Sequence, residues 1–469
     1  MSKTNSTFFL VLSIYLVLVS VIKSDRMLVY ASPSTLKVPD DFLTIQEAIN
    51  NASPGDIIFV HSGTYQENII IKKSITLIGE DRENTIINGS GSGSVIIIMA
   101  SQVTISRFTI TNSHAQGFGI YIGYFGNIIN DNIIISNNIG IKVEYSSGNQ
   151  ICRNIISSNN IGIQMFSASG NKIYRNTFAN NYFGIDIYYN SLDNTIYENT
   201  FQQNSYGVRI SYNSNNNVFY YNNFIVNTKD VYAEQTTNVW SYDGKGNYWD
   251  KYEGDDLNKD GIGDIPHNIT YMDKDYYPLM GKLYSFAISF KGEAHYVIVI
   301  SNSTITNFAF KNFVEIKSTL IIFNASDAGF VRITIPKDLL KKIHMVLVNE
   351  KEVNVIFLDE ADPENFHLYI ELCSDCSVEI VYSEFIDLYD QLLFYYSNLL
   401  NKLDDANKSF NIVKAYFDEL KEQLNDISSA YQSLKRNFGS LLYIIVVASS
   451  IFIVATFYLS KAAHEKSKI

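Results

Sequence analysis

Residues 127–148, NIINDNIIISNNIGIKVEYSSG, and residues 149–170, NQICRNIISSNNIGIQMFSASG, superpose without a gap, and residues 171–193, NKIYRNTFANNYFGIDIYYNSLD, repeat them with one residue added. Three asparagine columns result. The first is Asn127, Asn149, Asn171, Asn194 and Asn217; the second Asn132, Asn154, Asn176, Asn199 and Asn222; the third Asn137, Asn159, Asn181 and Asn204. Gly140, Gly162, Gly184 and Gly207 follow the third column at a fixed offset, each before Ile or Val. A period of this length with alternating apolar positions marks a chain that stacks on itself, one repeat to a turn. The pattern predicts a right-handed parallel β-helix in which side-chain amides form ladders along the axis. An Asn-rich disordered tract is the competing reading, and it fails because Ile129, Ile151, Ile173, Ile196 and Phe219 recur in register.

The charges follow the same period. Asp131, Arg153, Arg175, Glu198 and Tyr221 lie four residues after the first column, and Lys142, Gln164, Asp186 and Arg209 two after the glycines. Stacked coils lie about 4.8 Å apart. Asp131 should therefore meet Arg153, Arg175 meet Glu198, and Asp186 meet Arg209, each pair contributing roughly 0.2–1 kcal/mol. A sugar-cleaving site needs two or three carboxylates in one groove, or an acidic calcium cluster beside an unpaired base. These coils show none, so the charges read as structural. The positions that discriminate are Asp131, Glu144, Asp186 and Glu198: a shared cleft would favour an enzyme and ion-paired columns a scaffold. Tyr174, Tyr197 and Tyr220, and Phe166 near Tyr188, form aromatic columns that either stack on sugar rings or support the coil.

At the start, Thr44-Ile45-Gln46-Glu47 reads as a capping box, with Thr44 capping a short amphipathic helix through Asn50 and Glu47 returning to the backbone. That helix would cover the open end of the stack. The stretch TIQEAINNASPGDIIFVHSGTYQENIIIKKSITLIGE, residues 44–80, resembles the opening of NosD-like β-helix proteins with their PbH1 repeats. The resemblance covers residues 37 to about 267 and implies an extracytoplasmic β-helix that contacts sugars. Some members are tied to copper-site assembly, but these coils lack the Met/His grouping that copper favours.

GNYWDKYEGDDLNKDGIGDIPH, residues 246–267, resembles the terminal motif of archaeal NosD-like proteins, with Tyr248 and Trp249 placed to plug the end of the core. Asp256, Asn258 and Asp260 occupy positions 1, 3 and 5 of an acidic loop, with Gly261 at 6, the Ile262 backbone at 7 and Asp264 at 9. Alternate oxygens at that spacing can converge on Ca²⁺ while glycine permits the turn. Position 12 is His267 rather than Glu, so the loop is no EF-hand. The competing reading is a solvated, turn-rich acidic loop.

Formal charge is −12, from 36 Lys and Arg against 48 Asp and Glu, and the basic residues are scattered. That excludes nucleic acid as a partner. Phe8 to Ile22 is an uncharged, mostly apolar run after Lys3, and Val29-Tyr30-Ala31 offers a cleavage site, so residues 1–31 read as a signal peptide or an uncleaved anchor. Leu441 to Leu459 is 19 residues without a charge, enough for a single C-terminal span. Lys461, Lys466 and Lys468 make residues 460–469 a cytoplasmic tail. Asn51, Asn88, Asn268, Asn302, Asn324 and Asn407 head glycosylation sequons, in keeping with export.

Beyond the β-helix (37–248) and its closing loop (249–267), residues 268–282 read as a linker and 283–384 as a β-sandwich of about seven short strands. Cys373 and Cys376 flank what reads as a hairpin turn, within reach of a local disulfide, with two free thiols as the alternative. GFVRITIPKDLL, residues 329–340, resembles a module of archaeal surface proteins. Residues 385–438 keep apolar a and d positions through Tyr389, Tyr396, Leu403 and Leu392, Leu399, Val413, without proline or glycine. They predict a coiled-coil stalk of two or three copies, about 80 Å long at 1.5 Å per residue.

The fold class expected is thus an all-β head, β-helix then β-sandwich, on a helical coiled coil with one transmembrane helix. The layout is similar to membrane-anchoring stalk subunits of archaeal S-layers. It implies a non-enzymatic cell-surface protein, an envelope scaffold or a binder of surface glycan or lattice protein. The alternatives are an anchored polysaccharide lyase or hydrolase and a NosD-like copper-site maturation factor.

Overall fold

The computed structural model describes residues 32–359, 361–405, 419–429, 453–454 and 456. The signal segment 1–31, the sequon at Asn407, most of the apolar run 441–459 and the tail lie outside them. The chain divides into two compact units, Met1–Gln164 and Met165–Ile469.

In the first unit, strands of three to six residues form three parallel sheets, each strand pairing with its counterpart one repeat away. Ile105, Ile129 and Ile151 pair in successive coils, fully buried. Helix α1, Ile45–Asn51, turns Ile45, Ala48 and Ile49 inward. Thr44 Oγ1 accepts the Glu47 N–H at 3.1 Å, but only half the expected box forms. The free N–H groups of Ile45 and Gln46 donate instead to Glu67 of the next coil, at 2.9 Å each. At the other end Lys73 donates to the carbonyls of Asn50 and Ala52, placing a cation on the helix C-terminus.

The second unit opens with coils of the same kind. Ile173, Ile196 and Phe219 pair in sequence, and Phe178, Phe201, Phe224 and Trp249 stack through the interior with centroids 4.8, 5.0 and 4.3 Å apart. Trp240, absent from the sequence reading of the plug, stacks on Phe219 at 4.2 Å and is buried.

In both units the corner between sheets is one residue in the left-handed conformation. Asp131, Arg153, Arg175, Glu198 and Tyr221 have φ between 54° and 58°. A non-glycine residue there costs about 1–2 kcal/mol, and the buried asparagine that follows secures the bend. Asn199 is typical: its Oδ1 accepts from the Asn176 N–H and Nδ2, at 3.0 Å each, and its Nδ2 donates to Ile173, Tyr197 and Asn222. The columns run one rung beyond the sequence reading, to Asn238, Asn247 and Asn227.

The rest of the second unit is a sandwich of two antiparallel five-stranded sheets, ten strands rather than about seven. One sheet runs in the order Lys282–Phe290, Glu293–Ser301, Gly329–Pro336, Asn365–Leu372, Ile356–Phe357. The other runs Ile305–Phe313, Ser318–Ala325, Cys376–Ser383, Met345–Val348, Lys351–Glu352. Val299, Ile333 and Ile370 of the first meet Phe323, Ile380 and Val346 of the second in one core. The strands either side of Cys373 and Cys376 fall in different sheets, so the turn is a crossover and not a hairpin. Both cysteines are free thiols; burial, then hydrogen bonding to Cys373, pushes Cys376 up to about 11.

Helix α2, Glu384–Asp405, begins directly on the sandwich. Ser383 N–H donates to His344 Nδ1, which leaves the proton on Nε2 for Asp387, 2.9 Å away. Residues 419–429 are also helical. Tyr389, Leu392, Tyr396, Leu420, Leu424 and Ile427, the expected a and d positions, are half-buried, while Leu393, Phe394 and Tyr395 are exposed. One continuous rod is not described, and no described helix is long and apolar enough to cross a membrane. Of the expected span only Ile453, Val454 and Thr456 are described, as helical.

Candidate functional site

The stretch 268–282, read from sequence as a linker, is built into the end of the coils. Each amide column leaves N–H donors on its last rung that only an acceptor can satisfy. Asp273 accepts from the Asn238 N–H and from Trp240 Nε1, at 3.3 Å each. Asp275 accepts from the Asn247 N–H at 2.7 Å, Asn247 Nδ2 at 3.2 Å, Trp249 Nε1 at 3.0 Å and the Tyr277 N–H at 3.0 Å. Both carboxylates are buried, and burial outweighs those donors to push Asp275 up to about 6. Gly246 permits the approach, because a Cβ there would lie 2.0 Å from the Tyr277 carbonyl.

Seating this segment brings Tyr276 and Tyr277 to the mouth of a groove of about 1090 Å³. The coils contribute Glu198, Tyr220, Tyr221 and the Asp243–Lys245 turn. The acidic loop contributes Asn258, Asp260 and Asp264, and the sandwich contributes Arg332, Thr334, Phe357, Asp359, Asp362 and His367. Beneath it, Leu279, Leu283, Ile300, Phe330 and Tyr369 form an apolar seam with Tyr221 and Tyr248 packed against it. Asn223 clamps the seam by a reciprocal pair of 2.8 Å hydrogen bonds with the Leu283 backbone.

The acidic loop forms one wall. Asp256 accepts from the Asp260 and Gly261 N–H groups at 3.0 and 2.9 Å, Asp260 from Ile262 at 2.8 Å, and Asp264 from Leu257 at 2.8 Å. Among the described residues no three His, Cys, Asp or Glu side chains gather as a metal-holding group, so these oxygens face the loop's own backbone. Gly261 has φ +77°, and a Cβ there would lie 3.3 Å from the Arg332 stem. Arg332 Nη1 donates to the Asp260 carbonyl at 2.9 Å and Lys259 pairs with Glu371 at 2.6 Å, pinning the loop to the sandwich.

His367, also in the lining, lies 2.7 Å from Asp362 and 3.0 Å from Thr334 Oγ1. That histidine, with the backbone donors of Glu364 and Asn365, holds Asp362 well below the usual carboxylate range. Tyr174, Tyr197 and Tyr220 form a stacked ladder, 4.9 and 5.1 Å between centroids, whose last ring reaches the groove.

The four discriminating carboxylates are engaged. Asp131 meets Arg153 at 2.8 Å, Glu198 meets Arg175 at 2.5 Å, and buried Asp186 takes both arms of Arg209 at 2.7 and 2.6 Å. Glu144 accepts from Tyr121 at 2.9 Å and lies 3.5 Å from Lys142. Of these, Glu198 alone lines the groove. Among the sequons, Asn51, Asn268, Asn302 and Asn324 are exposed and Asn88 is half-exposed.

Residues 49–254 match the family model for "Periplasmic copper-binding protein (NosD)". A 36-residue stretch is 53% identical to the probable ABC transporter binding protein NosD of Stutzerimonas stutzeri, spanning 8% of this chain and 8% of that relative's length. Among solved structures, the complex of XylC with xylose is similar at TM-score 0.41 and 12% identity, over 73% of this chain and all of that one. An alginate lyase from Paenibacillus is similar at TM-score 0.29 and 15% identity, over 46% and 97%. Pectin methylesterase from carrot is similar at 0.26 and 12%, over 45% and 83%. The family name implies copper. Within 49–254 the imidazoles are His61 and His114 and the one thiol, Cys152, is buried in a coil, so the donors present do not fit that metal. The stacked coils of this chain are a NosD-like right-handed parallel β-helix.

Proposed function

We propose that this chain is a non-enzymatic envelope protein, carried outside the cytoplasmic membrane, whose head binds surface glycan in the acidic, aromatic groove. The observation that carries this reading is the groove itself. Exposed rings of Tyr276, Tyr277 and Phe357 stand beside carboxylate, amide and hydroxyl groups, the pairing that a sugar's apolar face and its hydroxyls require. The family description supports a location beyond the cytoplasmic membrane. The C-terminal region completes the proposal: the helical segments and their a/d stripe join two or three copies, and Leu441 to Leu459 fixes them to the membrane as an S-layer stalk would be fixed.

Full-length protein in detergent, passed over immobilised envelope polysaccharide, should be retained, and Tyr276→Ala with Tyr277→Ala should release it. No retention would end the glycan reading. The lyase or hydrolase alternative is decided by the same material, since it requires new chain ends on incubation.

Calcium belongs to the proposal as a brace of the groove wall. Asp256, Asn258, Asp260, the Ile262 carbonyl and Asp264 would turn their oxygens to one centre. Added Ca²⁺ should then raise the melting temperature of wild type and not of Asp260→Asn. A disulfide between Cys373 and Cys376 is proposed for the oxidised, exported protein, and a mass shift on thiol labelling only after reduction would demonstrate it.

A further inference from the structure

Resting on the glycan reading above, we infer that the groove selects sugar chains free of anionic groups, neutral or amino-bearing, and turns away uronate polymers. Six carboxylates line it: Glu198, Asp243, Asp260, Asp264, Asp359 and Asp362. Lys245 and Arg332 are the lining cations, and Arg175 stands behind Glu198. Six against three leaves a formal charge of −3, with His367 counted neutral.

The cations are outnumbered, and only Arg175 is held closely by a carboxylate. Arg175 is bound to Glu198 and lies 3.3 Å from the Tyr296 ring centroid; Arg332 donates to the Asp260 carbonyl; Lys245 sits 3.9 Å from Asp243. A uronate carboxylate needs a free guanidinium or ammonium to replace its water, and a bidentate Arg for geometry. Among the described residues Arg332 is the lining guanidinium that no carboxylate holds, but its Nε is buried, and the six acids repel the incoming charge in a partly desolvated space. Sugar hydroxyls are suited to it instead. Each is a donor, and the lining is rich in acceptors: Asp243, Asp264, Asp359 and the Thr334 hydroxyl. The ring faces of Tyr276, 60% exposed, and Phe357, 41% exposed, supply stacking surface at the mouth. An ammonium on the sugar adds attraction.

The test titrates full-length protein in detergent with hexamers of glucose, glucosamine, N-acetylglucosamine and galacturonic acid, at low and physiological salt, with EDTA or with calcium. The uncharged or amino hexamers should bind at least about tenfold more tightly than galacturonate. Asp243→Lys with Asp359→Lys should narrow that gap. Galacturonate binding as tightly as the others, in EDTA or through calcium, would overturn the charge selection and leave the glycan reading intact. Failure of all four, with envelope polysaccharide also unbound, would overturn both.

Discussion

The last coils of the β-helix and the sandwich beside them border the same groove but satisfy their buried polar groups in opposite ways. In the coils a single amide serves several partners, as Asn199 does, and every column is read by the coil on either side. In the sandwich, buried hydroxyls are settled in small local groups: Ser318 Oγ with Ser383 Oγ at 2.6 Å, and Ser301 Oγ donating to the Phe330 carbonyl at 2.6 Å while accepting from the Ser303 N–H at 3.0 Å. The polar interior of the coils is therefore collective, and that of the sandwich is local. An aligned amide chain is strengthened by its neighbours in low dielectric and penalised heavily when broken.

The sharpest way to break this contrast is Asn199→Ala. It removes the acceptor of the Asn176 N–H and the donor to the Ile173 carbonyl, and takes one acceptor from Asn176 Nδ2, which keeps the Tyr174 carbonyl; at about 1–3 kcal/mol for each unsatisfied group, chemical denaturation should show a loss of about 4 kcal/mol. A loss no larger than that of a sandwich serine would refute collectivity.

Next is pH. The folded carboxyl of Asp275 titrates near 6, above its unfolded value, so its contribution to stability is full below the unfolded pKa and is lost as pH rises through about 6. Between pH 4 and 7 wild type should lose about 2–3 kcal/mol relative to Asp275→Asn, read as the difference between their denaturation midpoints. A parallel pair of pH profiles would remove Asp275 from the account.

Asp186→Asn should cost about 2 kcal/mol, because the half-buried Arg209 keeps its charge and loses its partner. Smallest is Ser318→Ala, about 1 kcal/mol from losing the bond to Ser383, and it should leave the melting of the coils unchanged.

What could be read in advance follows from the same contrast. In a coil each residue stacks on its counterpart one repeat away, so periodicity in the sequence is already a contact map, and Asp131–Arg153, Arg175–Glu198 and Asp186–Arg209 could be named from spacing. The sandwich offers no such key. Ser318 pairs with Ser383 across 65 residues, and the turn at Cys373–Cys376 looks like a hairpin because both flanking runs alternate equally well. The capping box was half legible: Thr44 behaves as its type dictates, but the acceptor that completes it, Glu67, comes from a neighbouring coil. Most of the groove was invisible. Asp273 and Asp275 look like linker acids until the unfinished amide columns are seen to need them, and Tyr276 and Tyr277 follow into place. The alternation Asp-Lys-Asp beside two tyrosines was the available signal.

The self-matching columns also govern how this molecule can change length. Removing residues 194–216, one full repeat, would present Asn171 to Asn217 and Ile173 to Phe219, partners of the kind each already has. Excising three residues from the same place would instead shift every following side chain out of phase, setting Tyr197 where Asn194 belongs and Gly207 where Asn204 belongs. Descendants of such a gene should therefore gain or lose material in whole repeats, and point insertions should collect in the outward bends.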